Sequence, residues 1–369
     1  MLHYLVLQLR YIVLPDVTAT TQTILLEAAF WLVLTFLLGG LIRGLIPLNW
    51  LRRRLGGRGA RPVAWATFLG MLLPMCSCGA IPLGISLYYF GARLPTALAF
   101  MGANPIINPA AVLLSYALLG PRWTAAYLAA GFLVPVLMGV VASRFGGLEL
   151  EAAKRTGAPL LSWGDAAGLS LPRRVFHGLR WGFLELGPLV SLYVLLGAVL
   201  TGVVTAIYPR GMSLDAASLP SLLPVAAVAG LMYVCAVAFI PAVAYAVVAL
   251  GLSPGGAMVF LIVGAATNLP ELLSIWRLIG RRAVLIYGLV LIGLALVAGW
   301  LVNRWLGPSF FPAVAAPAAH AARHAAAFLY PTAPLPLDQA AMGLVILLGL
   351  WGLAGRVARR LRPSAPQPR

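Results

Sequence analysis

The chain has 369 residues, 62% of them hydrophobic and only 9% charged, with a formal net charge of +17. Soluble chains carry about a quarter charged residues, so the composition excludes a soluble fold of this size. The basic residues sit between long apolar runs rather than along one face or tail, which points to the rim of a membrane and away from nucleic acid as a partner.

The first residues, MLHYLVLQLRYIVLPDV, hold a short apolar stretch without a basic leader or a small-residue cleavage site, and are expected to stay in the mature protein as an interfacial segment. About 20 apolar residues cross the hydrocarbon core as a helix. Residues 23–45, 123–142, 183–204 and 284–301 fit that length, and 340–353 fits it when extended to 335–356. Two further regions, 62–119 and 220–279, are as apolar but are interrupted by Gly, Pro and Asn.

Twenty of the 26 basic residues fall in four clusters, 43–61, 144–180, 277–282 and 356–369. Basic residues accumulate in cytoplasmic loops. Placing all four clusters inside demands an odd number of crossings in each interrupted region, made by a re-entrant hairpin or by three short, steep passes. The N-terminus is then outside and the C-terminus cytoplasmic. The expected division is an interfacial segment (1–22), a first transmembrane repeat (23–144), a basic cytoplasmic loop (145–180), a second repeat (181–306), an external Pro- and Ala-rich loop (307–337), a C-terminal transmembrane helix (338–358) and a basic cytoplasmic tail (359–369).

The chain repeats itself. Glu27, Gly39 and Gly44 match Glu185, Gly197 and Gly202 at a spacing of 158; Cys76, Pro82 and Pro95 match Cys235, Pro241 and Pro254 at 159; Gly91, Phe100, Asn108 and Gly120 match Gly251, Phe260, Asn268 and Gly280 at 160. The loop before the first central region is strongly basic (Arg52, Arg53, Arg54, Arg58, Arg61), whereas its counterpart near Arg210 and Asp215 is nearly neutral, so the two copies are expected on opposite sides of the membrane. The fold class this implies is an all-α polytopic membrane protein of two inverted repeats. Broken or re-entrant helices meet at the midplane, where such folds place the substrate.

Four groups of residues carry chemistry. In Pro74-Met75-Cys76-Ser77-Cys78-Gly79-Ala80-Ile81-Pro82 the prolines and Gly79 are expected to unwind the helix and turn both sulfurs to one side, because residues two apart on an intact helix diverge. With the thioether of Met75 adjacent and Cys235 brought in by the repeat, the set suits a soft metal ion or trivalent arsenic. Small packing cysteines and a strained redox pair are the other readings. Three cysteines are too few for a disulfide framework.

The Asn-Pro steps at Asn104 and Asn108, echoed by Asn268, read as starts of half-helices whose free amide hydrogens face a polar ligand or only satisfy their own helix ends. Among the acids, Glu27 and Glu185 are expected near helix starts, where a carboxylate is stabilising in itself. Glu271 follows a break and has no acidic counterpart, so it is the stronger candidate for proton coupling. His320 and His324, four apart, read as a solvated pair.

No phosphate-binding G-x-x-x-x-G-K run exists, and the only Lys is Lys154, which argues against direct ATP drive. No nucleophile elbow or metalloprotease motif is present either, so no enzyme and no resident cofactor is expected.

The run from Cys76 to Pro82, with Phe100, Asn108-Pro109, Tyr233-Val234-Cys235, Gly251 to Gly255, Phe260 and Ala266-Thr267-Asn268, resembles the bacterial and archaeal permease family that includes organoarsenical (ArsP-like) and copper/zinc efflux permeases. The resemblance extends from Glu27 to Trp305. It implies a multi-pass exporter in the inner membrane of a prokaryote, with Cys76, Cys78 and Cys235 holding thiophilic cargo. The chain departs from the family in having Gly264-Ala265 where Gly-Pro is usual, and in reading Cys235-Ala236-Val237-Ala238-Phe239, without the usual hydroxyls. The function expected is therefore a secondary-active export permease for a small thiophilic metal, metalloid or organoarsenical. A transmembrane thiol oxidoreductase and a channel with incidental cysteines are the alternatives.

Overall fold

A computed structural model of the chain describes residues 14–45, 57, 59–73, 77–89, 92–145, 170–207, 218–232, 234–249, 251–307, 310 and 335–361. Among the described residues the regular structure is helical throughout. In the first repeat α1 (Leu14–Leu45) is followed by α2 (Ala60–Leu72), α3 (Ser77–Tyr89), α4 (Leu94–Ile106) and α5 (Pro109–Phe145). In the second, α6 (Leu171–Trp181) runs through a π turn (Gly182–Leu186) into α7 (Gly187–Ile207), followed by α8 (Leu219–Leu231), α9 (Ala236–Ala249), α10 (Pro254–Ala266), α11 (Leu269–Leu278) and α12 (Arg281–Leu306); α13 (Leu335–Leu361) closes the chain.

The correspondence between repeats is element by element. Gly120 breaks α5 with φ 83° and ψ 169°, and Gly280 separates α11 from α12 with φ 142° and ψ 170°. Both conformations lie where residues with a Cβ are strained, and a proline or an arginine then restarts the helix.

Helices α2, α3, α4, α8 and α10 have 13 residues each, about 20 Å of rise, short of a hydrocarbon core of about 30 Å. The interrupted regions are therefore built from half-length pieces. Helices α10 and α11 make a pair bent by 41°. Three described helices are long and apolar enough to cross a membrane on their own, within α5, α12 and α13. Large apolar side chains such as Leu289, Leu347 and Leu133 stand more than half exposed. Facing water they would cost about 25 cal/mol per Å²; facing lipid they cost nothing, as expected of a polytopic membrane protein.

Close backbone approach holds the helices together. A Cβ on Gly299 would stand 2.7 Å from the Gly255 carbonyl oxygen, and one on Gly139 would stand 3.1 Å from the Pro95 carbonyl oxygen. Each is the same crossing, α5 on α4 and α12 on α10, at positions 160 apart. Helix α1 lies against α3, α6, α7 and α13, and its Gly40 approaches Gly178 of α6 so closely that a Cβ would meet the Gly178 oxygen at 2.8 Å.

Several expectations change. Helix α1 begins at Leu14, ahead of the expected start at 23, and the basic loop gives way to helix at Leu171. Glu27 consequently lies inside α1 and Glu185 within the π turn, well past the start of α6, so neither is a helix-start acid. Residues 1–13, 146–169, 311–334 and 362–369, with His320 and His324, lie outside the described residues.

Candidate functional site

The two repeats meet where α4 packs on α10. Each of these helices ends at a break: Ile107 is extended between α4 and α5, and Thr267 and Asn268 separate α10 from α11. A broken helix exposes carbonyls on one side and amide hydrogens on the other, and in an apolar interior each must find a partner.

Asparagines supply the amides' partners. Asn108 Oδ1 accepts from the Ala111 amide at 2.9 Å. Asn268 Oδ1 accepts from the Glu271 amide at 3.1 Å, while its Nδ2 donates back to the Ala265 carbonyl at 2.7 Å. Asn268 thus bridges the two half-helices it separates. Asn104 does not start a helix as the sequence suggested: Asn104-Pro105 forms the last turn of α4, and Asn104 Nδ2 donates to the Gly70 carbonyl of α2 at 2.9 Å. Its Oδ1 is buried without a hydrogen-bond partner among the described residues.

Tyrosines supply the carbonyls' partners, which sequence inspection missed. The Tyr127 hydroxyl donates to the Ile106 carbonyl, and the Tyr287 hydroxyl lies 2.8 Å from the Ala266 carbonyl. Both tyrosines are buried, and Tyr127 stacks on Trp123 with ring centroids 5.0 Å apart. The indole of Trp123 donates to the Pro254 carbonyl at 3.0 Å, tying the start of α10 to the first repeat. Their signal was the spacing of 160 itself, which also separates Ile106 from Ala266.

Glu271 stands at the third position of α11, fully buried. A glutamate there ordinarily reaches back to the cap residue's own amide; this one instead contacts the Tyr287 hydroxyl, with Oε1 at 2.9 Å, and its Oε2 has no partner among the described residues. The corresponding position of the first repeat is Ala111.

Cys235 lies half-buried just before α9, its carbonyl accepting from the Phe239 amide at 3.0 Å. The packing is crossed: α9 of the second repeat lies on α5 of the first, and α3 of the first lies on α11 of the second. Met75 and Cys76 fall outside the described residues, as does the side chain of Cys78. The unwinding expected through Gly79 and Pro82 does not occur, because both lie inside α3, which starts at Ser77. Among the described residues no group of three His, Cys, Asp or Glu side chains is arranged to hold a metal ion. The side chains of Glu27 and Glu185 are not described.

Comparison with known proteins gives a consistent picture. Residues 14–304 match the ArsP_1 family model, described as predicted permease. The chain is 27% identical over 274 residues to UPF0718 protein YraQ of Escherichia coli, covering 73% of this chain and 75% of that protein. It is 26% identical over 329 residues to UPF0718 protein MJ0584 of Methanocaldococcus jannaschii, covering 71% and 88%. To UPF0718 protein YcgR of Bacillus subtilis it is 30% identical over 123 residues, covering 33% and 42%. No solved structure matches.

Proposed function

The chain belongs to the ArsP_1 family of predicted permeases, and on that premise we propose that it is a secondary-active carrier that exports a thiophilic metal ion, metalloid or organoarsenical from the cytoplasm. Its family makes it a multi-pass membrane transporter. The cargo, the direction and the driving ion are the proposal, with the inner membrane of a prokaryote as its location and the N-terminus outside.

In this mechanism Cys76, Cys78 and Cys235 supply soft donors, with Met75 as an auxiliary thioether, since thiolates select soft ions. Asn104, Asn108 and Asn268 line the half-helix ends facing the cargo, and Glu271 carries the coupled proton. Glu27 and Glu185 are the remaining candidates for the proton path. Two inverted repeats rocking about this site alternate its access.

The observation that carries the proposal is the position of Cys235. It stands immediately before α9, which packs on α5, and Tyr127 of α5 holds the end of α4, so a thiol of one repeat leads into the helix that packs against the element securing the break of the other. The repeat predicts the reciprocal arrangement for Cys76 at the Ala266 end. A soft-ion carrier needs donors from both halves at one place, so that moving one half against the other changes which side the ion sees.

The test is export measured in inverted membrane vesicles with a trivalent organoarsenical, As(III), Cu(I) or Zn(II) as cargo. Wild-type vesicles should accumulate one of these in proportion to the proton gradient, and Cys76→Ser with Cys78→Ser should abolish it. Undiminished transport by that double variant would overturn the ligand assignment.

A further inference from the structure

Tyr127 and Tyr287 occupy equivalent places, yet among the described residues only Tyr287 has an acid hydrogen-bonded to it. A tyrosine hydroxyl has a single hydrogen. That of Tyr287 faces two oxygens, the Ala266 carbonyl at 2.8 Å and Glu271 Oε1 at 2.9 Å. The carbonyl can only accept. Both contacts are hydrogen bonds at once only when the carboxyl is protonated and donates to the tyrosine oxygen while the tyrosine donates to the carbonyl. When the carboxyl ionises it too can only accept, and the two oxygens compete for one hydrogen.

We propose that Tyr287 is a proton-operated latch on the end of α10. With Glu271 protonated, the Tyr287 O–H bond points at the Ala266 carbonyl and ties α10 to α12. When Glu271 gives its proton to water, the Tyr287 hydrogen swings to the carboxylate, which as a charged acceptor makes the stronger bond, and the Ala266 carbonyl loses its partner. Tyr127, with Ala111 where Glu271 would be, is the fixed counterpart and holds Ile106 at every pH. The second break is therefore the one that responds to the proton, and the first is the hinge it works against. This deepens the role given above to Glu271 and rests on it.

The surroundings favour the latch. Among the described side chains, α11 itself carries Arg277; the elements packed on it carry Tyr193 on α7, Tyr88 on α3, and Arg281, Arg282 and Arg304 on α12 beside Tyr287. Cys78 and Tyr89 also belong to α3. The arginines are exposed, and the hydrogen bond to the Glu271 carboxyl comes from Tyr287. Tyr287 also sits on the seam between repeats: a Cβ on Gly102 of α4 would stand 3.5 Å from its hydroxyl oxygen, so its movement is felt by the first repeat.

The experiment is amide deuterium exchange on the full chain in lipid nanodiscs, without cargo, from about pH 5.5 to about pH 8.5, with rates corrected for intrinsic chemistry. In the wild type, exchange across 267–272 should rise on the order of tenfold with pH, the effect of one lost hydrogen bond, while 107–112 stays flat. Glu271→Gln, whose amide donates to Tyr287 at any pH, should hold 267–272 at the slow rate throughout. Tyr287→Phe should give the fast rate throughout, and Tyr127→Phe should speed 107–112 without a pH response. A pH response that survives Glu271→Gln, or appears equally in both breaks, or is untouched by Tyr287→Phe, overturns the latch. Because no cargo is present, the result is independent of the cysteine assignment, and vesicle export by Glu271→Gln tests separately whether the proton is coupled to transport.

Discussion

Tyr127 and Tyr287 stand 160 positions apart, and each meets with its hydroxyl a carbonyl 21 residues earlier in the chain, that of Ile106 or of Ala266. The duplication has therefore preserved the means of satisfying the broken helix ends along with the breaks themselves. In an apolar interior an unpartnered backbone group costs about 1–3 kcal/mol, so removing the tyrosine or the asparagine weakens a break by about that much.

The two asparagine caps should differ in weight. Asn108 makes one described side-chain hydrogen bond, to the Ala111 amide of the helix it starts, whereas Asn268 makes two, to the Glu271 amide and, across the break, to the Ala265 carbonyl. Asn108→Ala should cost about 1 kcal/mol and Asn268→Ala about 2 kcal/mol. Denaturant unfolding in detergent micelles measures both; an equal or smaller loss for Asn268→Ala would contradict the bridging role.

Helix crossings built on glycine predict a sharp contrast along one helix. Gly299 faces α10 with the Gly255 carbonyl oxygen 2.7 Å from where a Cβ would lie, while Gly293 has nothing within 4 Å. Gly299→Ala should destabilise by about 1–3 kcal/mol through overpacking. Gly293→Ala should be neutral or stabilise by about 0.5–1 kcal/mol, as helix propensity dictates. Thermal unfolding midpoints for the pair decide it, and similar shifts would mean that α12 does not approach α10 as described.

Trp123 joins the repeats through its bond to the Pro254 carbonyl. Trp123→Phe keeps most of the ring volume and removes the donor, leaving a buried carbonyl without it. The expected loss is about 1–2 kcal/mol, read as a lower unfolding midpoint. A variant as stable as the wild type would show the carbonyl to be satisfied otherwise.

Much of this architecture could be read from the residues, and the exceptions have physical reasons. Gly, Pro, Cys and Asn punctuate an apolar chain, so the repeat and the caps at Asn108 and Asn268 stood out. Tyr127 and Tyr287 repeat just as faithfully but sit within uninterrupted apolar helices, where an aromatic residue looks like packing until its hydroxyl's partner is known. Asn104 misled because an Asn-Pro step starts a helix at Asn108 but closes one at Asn104: Pro105 tolerates the last turn, and the Asn104 amide is committed to Gly70 instead of its own helix. Glu27 misled because hydropathy begins a span only where apolar residues begin, whereas the helix itself starts thirteen residues before Glu27, at Leu14. Contacts such as Trp123 with Pro254, 131 residues apart, leave no local trace at all.

The central proposal, that sulfur donors from the two repeats meet at one place, is tested most directly by counting thiols. In the Cys78→Ser variant only Cys76 and Cys235 remain, one from each repeat. Phenylarsine oxide, whose arsenic takes two thiolates, should at one equivalent in reconstituted liposomes remove both thiols from titration and leave their peptides joined. If one equivalent blocks a single thiol and leaves the other reactive, the two cysteines do not face each other and the account fails.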